Sequence, residues 1–234
     1  SPVGNDVDTA WSNIREGRSG IGPITEIEAR EFATRIAGEI RNFNIGDYIP
    51  PRDARRMDVF MHYGIAASVD AVRDSGLEVT EENSHRIGVA MGAGIGGLAT
   101  IEDNHNKYLS GGARKVSPFF IPGSIINMTS GNVSIMYGMT GPNLSIVTAC
   151  ATSTHSIGIA ARSVVHGDAD VMLAGGSEYA TTALSLGGFC SARAMTTRCC
   201  SPPESWWGIL YPLNARSTFS STSAMRSLIS VLFF

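Results

Sequence analysis

Leu144-Ser-Ile-Val-Thr-Ala-Cys-Ala-Thr-Ser-Thr-His155 joins a short apolar run to a segment of small and hydroxylated residues, and Cys150 stands at the join. Leu144–Ala149 has the length and β-branched content of a buried strand. Beyond Cys150 the pattern turns helical, with Ser156, Ile159, Ala160 and Val164 leading to Gly167. A thiol at such a junction faces the unpaired N–H groups and the positive end of the helix, and both favour the nucleophilic thiolate. Ala149 and Ala151 leave room for a sharp turn, and the Cys150 N–H is placed to donate to a developing oxyanion. On this pattern alone, a buried and inert cysteine at a strand end stands equally open.

Two more apolar runs have the same character: Arg86–Met91 (RIGVAM) and Asp170–Ala174 (DVMLA). Each is flanked by Gly, Pro or Asn and followed by a potential helix, which predicts an α/β layered fold with a largely parallel sheet. Towards the N-terminus, Ser1-Pro-Val-Gly reads as a turn rather than a chain start. Asn5 is placed to cap a helix over Asp6–Glu16, with Asp6 and Asp8 at its positive end. A second helix is expected from Asp53 to Ser75, with Met57, Phe60, Met61, Ile65, Val69 and Val72 on one stripe and Gly76 closing it. No tandem repeat of solenoid period is present.

The 234 residues are 43% hydrophobic and 17% charged with 26 glycines, a composition that suits a folded domain with a substantial core. A net charge of −3 gives no global pull on nucleic acid, so an anionic partner must meet a local basic patch. Cys150, Cys190, Cys199 and Cys200 show neither metal-ligand spacing nor a paired framework, so no metal is expected. A reducing, cytoplasmic setting is the simpler reading. No signal peptide is recognisable, and no apolar run approaches the ~20 residues of a spanning helix, so no membrane partner is expected.

Gly92-Ala-Gly-Ile-Gly-Gly97 follows a strand and precedes a helix, as a dinucleotide fingerprint would. The acidic residue that the fingerprint needs about 20 positions on is not there. Glu102 and Asp103 come too early and fall on the helix itself. The glycines are better read as a tight turn, and no cofactor is expected. His155 follows Cys150 by five residues and points away from it along the helix. His62, His85, His105 and His166 show no pairing pattern, and all five read as structural or surface residues.

The run T-A-C-A-T-S-T-H resembles the nucleophile motif of the β-ketoacyl-acyl-carrier-protein synthases. The likeness extends, in order and at the expected spacing, through S-P-V-G-N, R-R-M-D-V-F-M-H-Y-G, G-A-G-I-G-G, R-K-V-S-P-F-F-I-P and D-A-D-V-M-L-A-G-G-S-E. These motifs are most similar to the bacterial elongating type II enzymes of fatty-acid synthesis, and they cover Ser1 to about Arg198. The resemblance implies a thiolase-like layered α/β/α/β/α fold, of which this chain holds most of the N-terminal half. It also implies a homodimer, with the Pro118–Met128 stretch and the Leu144–Cys150 strand near its interface. The implied chemistry is a decarboxylating Claisen condensation. Cys150 takes an acyl chain from acyl carrier protein and then reacts with malonyl-carrier protein. By the same resemblance Ile95, Phe120 and Phe189 line or gate the acyl tunnel. Arg52, Arg55, Arg56, Arg114 and Lys115 dock the carrier protein, against the plainer reading of solvated surface charge.

The chain departs from the family in three ways. The strand that the family places before S-P-V-G, in the middle of the first sheet, is missing. The second half of the fold, with two catalytic histidines, a lysine and the other oxyanion N–H, is also missing. Residues 199–234 read as an unrelated tail, frameshifted or disordered, in which Trp206 and Trp207 stand together and Glu204, Arg216 and Arg226 are the only charges. Three functions follow from this. The first is a 3-oxoacyl-acyl-carrier-protein synthase. The second is a catalytically incompetent fragment or pseudoenzyme that only binds acyl groups or carrier protein, and the third is a related condensing enzyme of polyketide assembly. A sheet without its central strand is expected to leave Ile87, Val89, Ile146, Val147, Val171 and Leu173 incompletely buried and the chain prone to aggregate.

Overall fold

The computed structural model describes the backbone of residues 1–198 and 228–231 and the side chains of residues 1–191. Helix α1 (Val7–Arg15) is capped by Asp6, whose carboxylate accepts the Thr9 N–H at 2.8 Å. Asn5, the expected cap, instead donates its side-chain amide to the Arg41 carbonyl. The helix starts one residue later than expected, where the aspartate meets the positive end directly. A short antiparallel pair follows, β1 (Gly22–Pro23) with β2 (Ile36–Ala37). Buried Glu39 ties it down by accepting from the Thr25 N–H and hydroxyl and from the Glu26 N–H.

The single helix expected over residues 53–75 is two helices, α2 (Pro51–Ala54) and α3 (Val59–Ser75). Asp58 causes the break. Its buried carboxylate leaves the helical path to accept the Phe60 N–H at 3.3 Å and, from a later segment, the Thr100 N–H at 2.7 Å. The expected stripe is buried from Phe60 to Val72, while Met57 packs from outside the helix. Gly76 closes α3 with φ +64°, a conformation that favours glycine.

From here strands and helices alternate: β3 (Ile87–Gly92), α4 (Leu98–Gly111), α5 (Phe120–Ser124), α6 (Met128–Tyr137), β4 (Asn143–Leu144), α7 (Thr152–Val165), β5 (Val171–Gly176) and α8 (Ala183–Arg198). With β6 (Leu228–Val231) the strands form a fully parallel sheet of order β4-β3-β5-β6. Its central pair runs in register from Ile87 opposite Val171 to Gly92 opposite Gly176. Alternation along the strands sorts the two faces. Val89, Met91 and Leu173 meet Phe60, Met61 and Ile65 of α3 and Val133 of α6. Ala90, Met172 and Ala174 turn the other way, to Ala160 of α7. One face is filled by bulky side chains. The other carries alanines around Met172, and the glycines at its carboxyl end let α7 lie close.

Three expectations need correction. Pairing of the strand expected over Leu144–Ala149 stops at Leu144, because side chains take over the next rungs. The Ser130 hydroxyl accepts the Met91 N–H at 3.0 Å, and the Ser145 hydroxyl donates to the Met91 carbonyl at 2.8 Å. The sheet also has no gap at its centre, since β3 and β5 pair directly. Ile87, Val89 and Leu173 are accordingly buried, while Val147 is exposed and Ile146 and Val171 are intermediate. Last, part of the segment set apart as a tail has structure, since Leu228–Val231 pairs with Met172–Gly175. The rest of 199–234, with Trp206 and Trp207, lies outside the described residues.

Phe60 is fully buried and Val165 is 67% exposed, both on helices that cover the sheet. Phe60→Ala should therefore cost about 3–5 kcal/mol, and Val165→Ala within about 0.5 kcal/mol of nothing, as read from urea unfolding midpoints. A second test concerns acid. Burial pulls the Glu39 carboxyl up, but the Thr25 N–H and hydroxyl, the Glu26 N–H and Arg41 outweigh it and hold it below its ordinary value. The native state then binds fewer protons than the unfolded chain, so this stabilisation is present above the ordinary glutamate range. It is lost as pH falls through that range to the lower folded value. Glu39→Gln should be less stable at neutral pH and lose less stability on acidification than the parent chain.

Candidate functional site

The carboxyl ends of β3 and β5 finish side by side in glycine, and the first turn of α7 sits on them. A Cβ on Gly92 would lie 2.1 Å from the Ile146 carbonyl oxygen and 2.6 Å from Thr152 Cγ2. One on Gly176 would lie 2.9 Å from Ser153 Oγ and 3.1 Å from the Gly92 carbonyl oxygen. Backbone touches backbone here, and only glycine permits it.

The chain enters α7 through a sharp corner. Ala149 adopts φ +49°, the left-handed region, at a cost of roughly 1 kcal/mol for a residue with a Cβ. Ala149–Ala151 then form one 3-10 turn before the α-helix begins, where the sequence predicted a direct start. Thr152 clamps the corner: its hydroxyl accepts the Thr148 N–H at 2.9 Å and donates to the Ala149 carbonyl at 2.8 Å. Cys150 stands at the apex, exposed. Among the described residues, no acceptor takes its N–H, which leaves that donor available to an incoming oxygen. His155 is part of the scaffold, its Nδ1 2.7 Å from Thr148 Oγ1.

The glycine-rich turn packs against this corner, since a Cβ on Gly94 would lie 3.4 Å from Ala149 Cα. On its other side α5 presses close, with Ser124 Cα only 2.4 Å from a Cβ placed on Gly97. The turn is held by Glu178, a residue to which the sequence reading gave no role. One oxygen of its carboxylate accepts the Ile95 N–H and, at 3.3 Å, the Gly96 N–H, while the other accepts the Tyr179 N–H at 2.9 Å. Burial nevertheless pushes this carboxyl above its ordinary value, against those three donors. The signal for it was in the sequence: an acid just past a buried strand end must find donors.

Of the residues expected at the acyl tunnel, Ile95 lies on this turn, next to the Gly94 that meets Ala149, and is 48% exposed. Phe120 lies half-buried at the start of α5, the helix that packs on the turn. Phe189 lies on α8 and is 61% exposed. The start of α8 is fixed to α4 by Glu102, which accepts from the Thr182 hydroxyl and the Leu184 N–H. Glu102 is thus engaged between helices, while Asp103 pairs with Lys107. A cavity of about 510 Å³ lies elsewhere, along Pro23–Arg35, and none of the predicted site residues lines it.

Arg52, Arg55, Arg114 and Lys115 are exposed, and Arg56 is half-buried. The Arg56 guanidinium lies 4.7 Å from the centre of the Phe119 ring, a cation–π contact. That contact joins the α2 arginines to the turn after α4, where Asn104 accepts the Ser117 N–H at 2.8 Å. Through it, the segment after α2 meets the segment that follows Arg114 and Lys115. Among the described residues, no cluster of His, Cys, Asp and Glu could hold a metal ion. Among the same residues, no helix is long and apolar enough to cross a membrane.

A family model described as "Beta-ketoacyl synthase, N-terminal domain" matches residues 1–205. The chain is 52% identical, over 198 residues, to a 3-oxoacyl-[acyl-carrier-protein] synthase 2 of Vibrio harveyi, covering 85% of this chain and 48% of that protein. It is 48% identical over 197 residues to the synthase of the same name in Staphylococcus aureus, covering 84% of this chain and 49% of that protein. The chain therefore spans about half the length of the curated relatives that it matches. Among solved structures, a β-ketoacyl synthase from Burkholderia phymatum superposes with a TM-score of 0.71 at 26% identity, over 82% of this chain and 47% of that one. A type II PKS acyl-carrier protein in complex with its ketosynthase, bound to the hexaketide, superposes with a TM-score of 0.67 at 26% identity, over 80% and 50%. The layered α/β fold expected from the resemblance is the fold observed.

Gly92→Ala tests the corner. With a carbonyl oxygen 2.1 Å from the new methyl group, the strand end or the α7 start must move. The variant should lose about 1–3 kcal/mol of stability. Alkylation of Cys150 by iodoacetamide, followed by peptide mass mapping, should change its rate while that of Cys190 does not.

Proposed function

This chain belongs to the β-ketoacyl synthase family, and from that premise we propose that it carries the acyl-accepting half of a 3-oxoacyl-acyl-carrier-protein synthase of fatty-acid synthesis. The observation that carries the reading is Cys150 at the apex of the strained Ala149 corner, exposed, with its own N–H unpaired among the described residues. The substrate class follows the curated relatives, 3-oxoacyl-[acyl-carrier-protein] synthases about 50% identical to this chain. The polyketide ketosynthase in complex with its carrier protein shares only 26% and supports the fold and the kind of partner rather than the product.

In the first half-reaction the Cys150 thiolate attacks the thioester carbonyl of an acyl-carrier protein. A new carbon–sulfur bond forms, the carbonyl oxygen takes negative charge opposite the Cys150 N–H, and the carrier thiolate leaves. In the second, malonyl-carrier protein loses carbon dioxide. The enolate so formed attacks the Cys150 thioester, releasing the cysteine and a 3-oxoacyl chain two carbons longer. Ile95, Phe120 and Phe189 would border the path of the acyl chain. Arg52, Arg55, Arg56, Arg114 and Lys115 would receive the acidic carrier protein, and the exposure of Arg52, Arg55, Arg114 and Lys115 supports this. A homodimer in a cytoplasmic setting completes the reading.

A second reading is that this polypeptide accepts or binds acyl groups without condensing them. Losing even one oxyanion donor typically costs roughly 10²–10³ in rate, so acylation and condensation are separable steps.

Mass spectrometry after incubation with acyl-carrier-protein thioester tests the proposal, with Cys150→Ala as control. An acyl mass on Cys150 alone, absent in the control, is expected. An unmodified Cys150, or label on Cys190 instead, would overturn it. Release of carbon dioxide from malonyl-carrier protein by the acylated chain separates the two readings.

A further inference from the structure

The Glu178 carboxylate is poorly explained as a strand-end residue that merely found partners. The residue before it already secures the strand end: the Ser177 N–H donates to the Gly92 carbonyl at 3.0 Å, and the Ser177 hydroxyl to the Phe60 carbonyl at 2.7 Å. Glu178 reaches further, across to the consecutive N–H groups of Ile95 and Gly96. Gly96 has φ +99°, so the backbone there turns its N–H groups toward one point. Such a concavity of successive N–H groups binds anions, phosphates among them. In this chain a carboxylate of its own occupies it.

What this carboxylate holds is the turn that packs on the corner at Ala149, the residue before Cys150. Gly94 lies between Glu178 and the corner, since a Cβ there would be 3.1 Å from Glu178 Oε2 and 3.4 Å from Ala149 Cα. Ile95 is next in sequence. Its main chain is bound to Glu178, and the residue stays 48% exposed. Glu178 is further buttressed from behind. Its neighbour Tyr179 donates its hydroxyl to Glu26 and packs edge-on against Tyr63, with ring centres 6.3 Å apart.

We propose that Glu178 is a positioning residue that pins the glycine-rich turn and so sets how far Ile95 obstructs the approach of a linear acyl chain to Cys150. The inference rests on the reading of Ile95 as a border of the acyl path. It adds the residue that governs that border. Short chains reach the thiol past a pinned Ile95, and long ones need the turn to give. Tyr179 and the strand end stay put when the carboxylate is removed, because Ser177 and Glu26 hold them separately.

The test needs no carrier protein. Cys150 is alkylated by iodoacetamide or by N-octyl iodoacetamide: the thiolate forms a carbon–sulfur bond, and iodide leaves. Peptide mass mapping gives the rate of each, and the ratio of octyl to parent reagent is compared among the unsubstituted chain, Glu178→Ala, Glu178→Gln and Ile95→Ala. Loss of both acceptors in Glu178→Ala should raise that ratio about tenfold. Glu178→Gln sets an amide N–H₂ against at least one backbone donor, and should raise it by about threefold. Glu178→Gln is isosteric, so it carries the test if Glu178→Ala does not fold.

Ile95→Ala should raise the ratio too. A ratio within twofold of the parent in both Glu178 variants, with Ile95→Ala shifted, overturns the role of Glu178 and leaves the acyl-path reading standing. A ratio unmoved in all three overturns that reading and this proposal together. Equal acceleration of both reagents in the Glu178 variants would mean general loosening and would also overturn it.

Discussion

The close approach of α7 to the ends of β3 and β5 is the contact on which the site depends. It requires glycine at 92 and at 176, opposite each other in register, because any Cβ would meet carbonyl oxygens or the Thr152 and Ser153 side chains. It also requires that the helix start directly over the sheet, so the chain must reverse within a few residues. Ala149 takes the left-handed strain of that reversal, and the Thr152 hydroxyl compensates by bonding both sides of the corner. Strain of this size persists only where surrounding contacts over-determine it. Cys150 is exposed because it sits on the bend so made.

The same economy of space runs along the sheet. Its α7 face is built from Ala90, Ala174 and Met172, against Ala160, whereas the opposite face carries Val89, Met91 and Leu173 against Phe60 and Met61. Stability comes chiefly from the bulky face, where each large apolar side chain is worth roughly 1.5–3 kcal/mol of burial. The thin face contributes less and gives proximity instead. A sheet with one strong face can accept a close-lying helix on the other, and this lets α7, with Cys150 just before its start, be placed by backbone contact rather than by adjustable side chains.

Much of this was legible in the sequence, for physical reasons. Buried parallel strands read as continuous apolar runs, so Ile87–Met91 and Val171–Ala174 were recognisable. The helix of Phe60, Met61, Ile65 and Val69 announced itself by its period, and Gly76 by its place after the last turn. What failed to show were interactions in which a polar side chain replaces a backbone partner. Ser130 and Ser145 end the pairing of β4 early, and Asp58 splits one expected helix into two. Glu178 ties the glycine-rich turn to the strand end. In each case the deciding partner lies far away in sequence; the local pattern shows at most that a polar group needs a partner, not where that partner is. The small residues around Cys150 predicted a sharp turn but not which residue would carry its strain.

The glycine-rich turn shows how one backbone geometry serves different chemistries. Its spacing matches a phosphate-binding fingerprint because both need N–H groups gathered on a tight bend. What separates the two is the charge that fills the bend. Here Glu178 fills it from within the chain, and Glu102, too early in sequence for the ribose-binding acid, accepts from Thr182 and Leu184. A turn neutralised by its own carboxylate has no electrostatic reason to recruit an external phosphate, and it is stiffened where it packs on the Ala149 corner. The exposed side of that turn is then left to an apolar side chain, Ile95. An apolar wall fits a hydrocarbon guest beside a thiol better than it fits a nucleotide.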